Sequence, residues 1–384
     1  LALILLLVSM DVEIVDTTLR DGEQAPGISF STKEKWDIVE SLTDIGIDEI
    51  EAGIPRMGSK EFDFVKSLGR ESLHTRVSAW SRFNLDDVKQ VYKTGVNTIH
   101  ISIPVSYYHT PYQLGSWQKV IGRVDSILDY SLEHFENVSI GIQDSFRSPE
   151  ERVLELCSIA QDKKLYRIRF SDTVGSSMPL DVYNLILKYR TLFMGKIDFH
   201  GHNDLGLALG NSIMALEAGA NSVNVTINGI GERAGNTPLE QLAFTLDMHK
   251  NLKSKIKINR IKPLCSLVSK YTGRVIPLDQ PIVGKNAFTH ESGIHGHTLL
   301  KNPLAYQPFI PEEKGLSKYR LVVGSHSGKS NVLNILNSFG VNTNIKNLEK
   351  FMYKFKYEAR KKHNFLTRDE VLKIYNSEYL GDLI

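Results

Sequence analysis

Cysteine is scarce. Cys157 and Cys265 are the only two and lie far apart, so no disulfide framework is implied and a reducing, cytoplasmic setting fits best. An excess of one charge is also missing. Lys and Arg number 46 against 44 Asp and Glu, a net +2 with the signs mixed, which gives no broad field for nucleic acid or an acidic membrane. The apolar stretch Leu1 to Val8 is too short to span a bilayer and lacks the basic residues that open a signal peptide. Residues 1–9 therefore read as an upstream extension, with Met10 as the true start. There is no internal repeat or low-complexity tract. Nor does a Gly-x-Gly-x-x-Gly turn follow the first strand-like run, which weighs against a doubly wound dinucleotide-binding sheet.

What is present is a chain of 384 residues, 41% apolar, enough to bury one large core with an appendage. Short β-rich runs alternate with helical patterns. The spacing predicts strands at Val12–Asp16, Glu49–Ala52, Arg76–Ala79, Thr98–Ile103, Val138–Ile142, Ile168–Phe170, Ile197–Phe199 and Ser222–Val225. Amphipathic stretches such as Thr32–Ile45, Leu85–Tyr92 and Gln118–Phe135 lie between them. Eight such strands with intervening helices imply an α/β fold, a (β/α)8 TIM barrel over residues 10–265. Beyond it, Pro277, Pro281, Pro303, Pro308 and Pro311 mark a linker or small subdomain over 266–318. Residues 319–384 return to lysine-rich helical sequence, read as a helical C-terminal subdomain.

The most informative run is His200-Gly201-His202, at the end of an apolar strand. Side chains two apart on a strand share a side, so both imidazoles can reach one cation. Two ligands do not make a site, and a hydrogen-bonded histidine pair would look the same. Company strengthens the metal reading: DTTLRDGEQAPG at 16–27 precedes it and NGIGERAGNTPLE at 228–240 follows. Polar clusters also recur just after strands (Arg20 and Asp21, Gln143 and Asp144, Asp172 and Thr173), the end of a barrel where active sites form.

Together with HGHNDLGLALGNS at 200–212, FTHESGIHGHTLL at 288–300 and GSHSGKSNV at 324–332, these motifs resemble the acyl-CoA-condensing branch of the DRE metallolyase superfamily. That branch holds the isopropylmalate, citramalate and homocitrate synthases. The resemblance implies an acyltransferase that joins acetyl-CoA to a 2-oxo acid chelated by a divalent cation (Zn, Mn or Mg), with Asp21, His200, His202 and Asn236 as ligands. It implies that Arg20 stabilises the developing oxyanion and that His100, Thr173 and Gln143 contact the 2-oxo acid. His295, with Glu291 and His290 as secondary candidates, matches the histidine that helps take a proton from acetyl-CoA. Tyr319 lies near the place of a catalytic tyrosine in some relatives. The resemblance also implies a domain-swapped homodimer.

One position departs from the family: Gln143 stands where relatives usually carry Glu. An amide cannot serve as a base, so altered rate or specificity, or a pseudoenzyme, stays open. The wording of Glu51–Gly58, Ile101–Ser106 and Tyr306–Gly315 looks most like homocitrate synthases associated with nitrogen fixation, which use 2-oxoglutarate. Its second carboxylate needs donors, for which His100 and Arg76 are candidates; Ser139 stands where some lysine-pathway relatives place an arginine. Isopropylmalate or citramalate synthesis is the alternative. Cleavage is disfavoured, because the lyases carry a cysteine loop where this chain has Gly229–Gly235. The chain length leads to the expectation of no leucine inhibition through an added regulatory domain.

Overall fold

The computed structural model describes residues 9–342 and 345–381. The apolar stretch at 1–8, the body of the expected extension, lies outside them. Eight parallel strands close a barrel: β1 (Glu13–Asp16), β2 (Glu49–Glu51), β3 (Arg76–Arg82), β4 (Thr98–Pro104), β5 (Asn137–Gln143), β6 (Arg167–Asp172), β7 (Lys196–Gly201) and β8 (Ser222–Val225). β8 pairs back onto β1 to complete it. A two-residue strand, Met10–Asp11, pairs with Leu252–Lys253 outside it.

The strands alternate in an unusual sense. Ile50, Ile99, Ile140, Ile168, Phe170, Ile197, Phe199 and Val223 are completely buried, on the face turned to the helices. The other face, toward the barrel axis, carries Glu49, Glu51, His100, Ser139, Arg167, Arg169, Asp198 and Asn224, all buried as well. Buried charge requires pairing. Arg167 meets both oxygens of Glu49 at 2.9 and 2.7 Å, and Arg169 meets Glu51 at 2.7 Å and Asp198 at 2.6 Å. Burial would raise the Glu49 carboxyl, but Arg167 holds it down to about 2.

Helices form where capping and periodicity agree. In Thr32–Ile45, Ser31 and Glu34 make a reciprocal capping box, Ile38, Val39, Leu42 and Ile45 are buried, and Gly46 ends the helix at φ +86°. Helices Ser59–Leu68, Leu239–Met248 and Ile261–Thr272 were not among those read from sequence.

The chain divides into two compact units, Leu1–Val275 and Ile276–Ile384. Helix Ile261–Thr272 runs through the change of composition near 265, so the division falls after it. In the second unit, helices Lys329–Ser338, Ile345–Lys362 and Arg368–Gly381 enclose Val332, Leu336, Leu348, Phe355 and Val371. A parallel pairing of Thr289–His290 with Arg320–Leu321 braces its first half. Among the described residues no helix is long and apolar enough to cross a membrane.

Candidate metal centre and substrate cavity

Asp21 sits in the turn after β1. The backbone N–H groups of Arg20, Asp21 and Gly22 all donate to the Thr17 carbonyl, at 3.1, 2.8 and 3.0 Å, which folds the chain back over the strand end. Arg20 is pinned there by Glu51, 2.5 Å from its Nε, and by Asp21 Oδ1, 2.9 Å from Nη1. The other oxygen, Asp21 Oδ2, faces His200 Nε2 at 3.4 Å and His202 Nε2 at 3.8 Å, and the two Nε2 atoms are 3.3 Å apart. Asp21 thus joins His200 of β7 and His202 just past its end, as the donor types require.

Ligands bonded at about 2.1 Å stand about 3.0 Å apart at octahedral angles and about 3.4 Å apart at tetrahedral ones. The observed triangle fits one divalent ion. Unused valences support that fit: Asp21 Oδ2 and Asn236 Oδ1 are buried without a hydrogen bond. Asn236 is bridged to His202 through the backbone, and its Nδ2 donates to the Ile230 carbonyl at 3.2 Å, leaving the amide oxygen open. Two glycines allow this loop. A Cβ on Gly235, at φ +92°, would lie 1.9 Å from the Gly229 carbonyl, and one on Gly231 would lie 2.1 Å from Asn236 Nδ2.

The electrostatics keep these groups in ligand form. Burial would raise the Asp21 carboxyl, but Arg20 and the imidazoles hold it well below the usual range. Burial and the neighbouring His200 push His202 down to about 4 against the pull of Asp21. His200 Nδ1 contacts Asn224 Oδ1 at 3.1 Å, and Asn224 Nδ2 donates to both oxygens of Asp198 at 2.9 Å. That orientation makes Nδ1 the protonated nitrogen and leaves Nε2 with its lone pair free.

A cavity of about 250 Å³ opens beside these atoms, and Arg20, His100, Gln143, Thr173, His200 and His202 all line it. The structure therefore brings the expected substrate contacts together with three of the expected ligands, Asp21, His200 and His202. Thr173 Oγ1 accepts from the Asp144 N–H at 2.8 Å, while Asp144 itself turns away to Arg147. Burial and Arg169 hold the His100 imidazole well below its ordinary range, so it is neutral. Arg76 is different: it begins β3, at the opposite end of the barrel, paired with Glu49 at 3.1 Å and Glu13 at 3.5 Å. It cannot meet substrate in this cavity, a correction to its reading from sequence.

Several residues that sequence reasoning missed shape the site. Trp80 and Arg169 line the cavity, with Trp80 under the Arg20 guanidinium at 5.9 Å. Arg233 grips both oxygens of Asp204 at 2.8 and 3.0 Å and donates to the Thr173 carbonyl at 2.8 Å, fastening three loops together.

In the second unit, His295 stacks on Tyr306 with ring centroids 3.9 Å apart, and His290 stands edge-on to His295 and Tyr319. Tyr319 Oη donates to the Leu299 carbonyl at 3.5 Å. Glu291 Oε1 accepts the His326 N–H at 3.0 Å, and the Glu291 carbonyl accepts from Ser327 and Asn331. Glu291 thereby ties down the turn that carries the GSHSGKSNV motif.

Comparison with known proteins agrees with the barrel. Residues 11–268 match the family described as HMGL-like, and residues 282–363 match the one described as homocitrate synthase post-HMGL domain-like. Homocitrate synthase 1 of Nostoc sp. is 36% identical over 96% of this chain and 97% of its own length. A probable 2-isopropylmalate synthase of Methanopyrus kandleri is 35% identical over 90% of this chain and 69% of its own. The HMG-CoA lyase of Bacillus subtilis superposes with a TM-score of 0.62 at 19% identity, covering 70% of this chain and 95% of that one, a likeness of fold.

Proposed function

This chain belongs to the HMGL-like family, and from that premise we propose that it condenses acetyl-CoA with 2-oxoglutarate and water, giving homocitrate and free CoA. At the coarser level it is an enzyme of the acetyl-CoA-condensing class that acts on a 2-oxo acid. The observation that carries the reading is the convergence of Asp21, His200 and His202, with open valences, on a cavity that also holds Arg20 and Thr173.

A divalent cation held by Asp21, His200, His202 and Asn236 supplies Lewis-acid polarisation of the ketone when bound. Arg20, fixed by Glu51 and Asp21, puts a permanent positive charge where negative charge develops on the ketone oxygen. The hydroxyl of Thr173 and the neutral imidazole of His100 orient the 2-oxo acid. Gln143 contributes hydrogen bonds only. His295, its ring plane held by Tyr306, is the candidate for taking the methyl proton of acetyl-CoA. A homodimer is part of this reading.

The test is release of CoA thiol from acetyl-CoA with 2-oxoglutarate, 2-oxoisovalerate or pyruvate. Clear preference for 2-oxoglutarate is expected, with homocitrate as product. Preference for 2-oxoisovalerate would favour 2-isopropylmalate synthesis, the activity named for several relatives. No thiol release from any of the three would leave a pseudoenzyme.

A further inference from the structure

Below the imidazoles, one residue lining the cavity carries another open valence. That residue is Arg169, and two of its guanidinium nitrogens are engaged: Nε donates to Asp198 and Nη1 to Glu51. Nη2 is buried with no partner. A buried N–H without an acceptor is costly, and this barrel can satisfy an arginine fork, as Arg167 shows two residues earlier on the same strand. The surroundings of Arg169 are small. In register beside it stands Gly141 of β5, and beside that Ser102 of β4. A Cβ on Gly141 would lie 2.5 Å from His100 Nε2, so glycine makes room for that imidazole edge to lie over β5, beside Arg169.

The tautomer of His100 follows from its other partner. Ser139 Oγ accepts from Arg167 Nε at 3.3 Å and lies 3.0 Å from His100 Nδ1. With its single hydrogen directed to Nδ1, the imidazole N–H is assigned to Nε2, over Gly141.

We propose that Arg169 Nη2, with His100 Nε2 beside it, binds the second carboxylate of the 2-oxo acid, which makes Arg169 the residue that selects a dicarboxylate. The inference rests on the condensation reading above and deepens it. Ser171 is the register partner of His200, and Arg169 that of Asp198, so Arg169 lies two residues down the strand from the imidazole layer. That is about 6.6 Å at about 3.3 Å per residue. A 2-oxo acid whose ketone end is held at the imidazoles spans this gap with two methylenes and a terminal carboxylate. The methyl of pyruvate and the branched end of 2-oxoisovalerate leave both donors unpaired, the situation in which polar sites discriminate most strongly. Glu51 and Asp198 already balance the charge of Arg169, so the selection comes from an unfilled hydrogen bond and not from net charge.

The test uses the full chain loaded with a divalent ion, and its Arg169→Lys variant. Lysine keeps a cation between Glu51 and Asp198 but loses the fork. Metal content should be unchanged. With 2-oxoglutarate, kcat/KM should fall by about 30-fold or more, chiefly through KM, while the value for 2-oxoisovalerate moves less than about threefold. A preference ratio within about threefold of the parent overturns the proposal. Should the variant fail to fold, calorimetric binding to the unaltered protein decides. There 2-oxopentanoate, which ends in a methyl in place of the carboxylate, should bind about 30-fold more weakly than 2-oxoglutarate; equal affinities overturn the proposal. The two failures are separable. An unaltered protein that prefers pyruvate or 2-oxoisovalerate overturns both readings, whereas one that prefers 2-oxoglutarate, and whose variant keeps that preference, overturns only the role of Arg169.

Discussion

Arg167 and Arg169 stand two residues apart on one strand, both buried, and the barrel treats them differently. Arg167 is closed: Glu49 takes both Nη groups and Ser139 takes Nε. Arg169 leaves Nη2 open, and in the ring of residues above it Asp21 Oδ2 and Asn236 Oδ1 are open as well. The same residue types thus serve two ends. Around Arg167 the polar chemistry is completed by folding; around Arg169 and the imidazoles it is left for a ligand to complete. An unfilled buried valence costs stability, and Asp21 and Arg169, which each carry one, both line the same cavity.

The largest effect is expected in the upper layer. His202→Ala should lower CoA release by about 10³-fold or more, since it removes part of the charge stabilisation at the ketone. Its urea midpoint without metal should stay close to that of the parent protein. At the lower layer the outcome should invert. Arg167→Met leaves the buried Glu49 carboxylate with Arg76 as its one cation and should cost about 3–5 kcal/mol in urea unfolding, while the preference among 2-oxo acids in the molecules still folded stays as it was. A change of preference without loss of stability would erase the distinction between the layers.

Two smaller effects sharpen it. Asn224 touches no ligand position itself but orients His200, so Asn224→Ala should weaken divalent-metal affinity by about 10–100-fold in a chelator competition. Unchanged affinity would assign Asn224 to packing alone. Asp16, buried at the end of β1, is raised by burial to about 7 in spite of two hydrogen bonds from Thr18. The folded chain therefore keeps a proton that the unfolded chain releases near the ordinary value of 3.8. Its stabilising share is complete below about pH 4 and is lost as the pH climbs toward 7, on the order of 4 kcal/mol. Asp16→Asn should flatten that part of the stability profile; parallel profiles for the two proteins would contradict it.

The barrel was legible because its outer face is apolar. Ile168, Phe170, Ile197 and Phe199 mark their strands whatever stands between them, and Ser31 with Gly46 frames the first long helix. Asp21, His200 and His202 were legible because each follows or ends a strand in a long motif. Glu51, Arg169, Asp198 and Asn224 were not. Charged residues alternating with apolar ones usually mean a solvent face; a closed barrel reverses that sense and turns Glu49-x-Glu51, Arg167-x-Arg169 and Asp198-x-His200 inward. That alternation, on strands whose other face must meet helices, was the available signal. Arg76 misled for a related reason: its chemistry suits a carboxylate, but its place at the start of a strand puts it at the barrel's other end.

The most direct test of the account is calorimetric titration of the chelator-treated protein with Zn²⁺ or Mn²⁺, beside its Asp21→Asn variant. One ion per chain should bind the parent protein, and the variant should bind it at least about 100-fold more weakly at the same pH. Binding of equal strength in the two would contradict the claim that this carboxylate and the paired imidazoles share one ion.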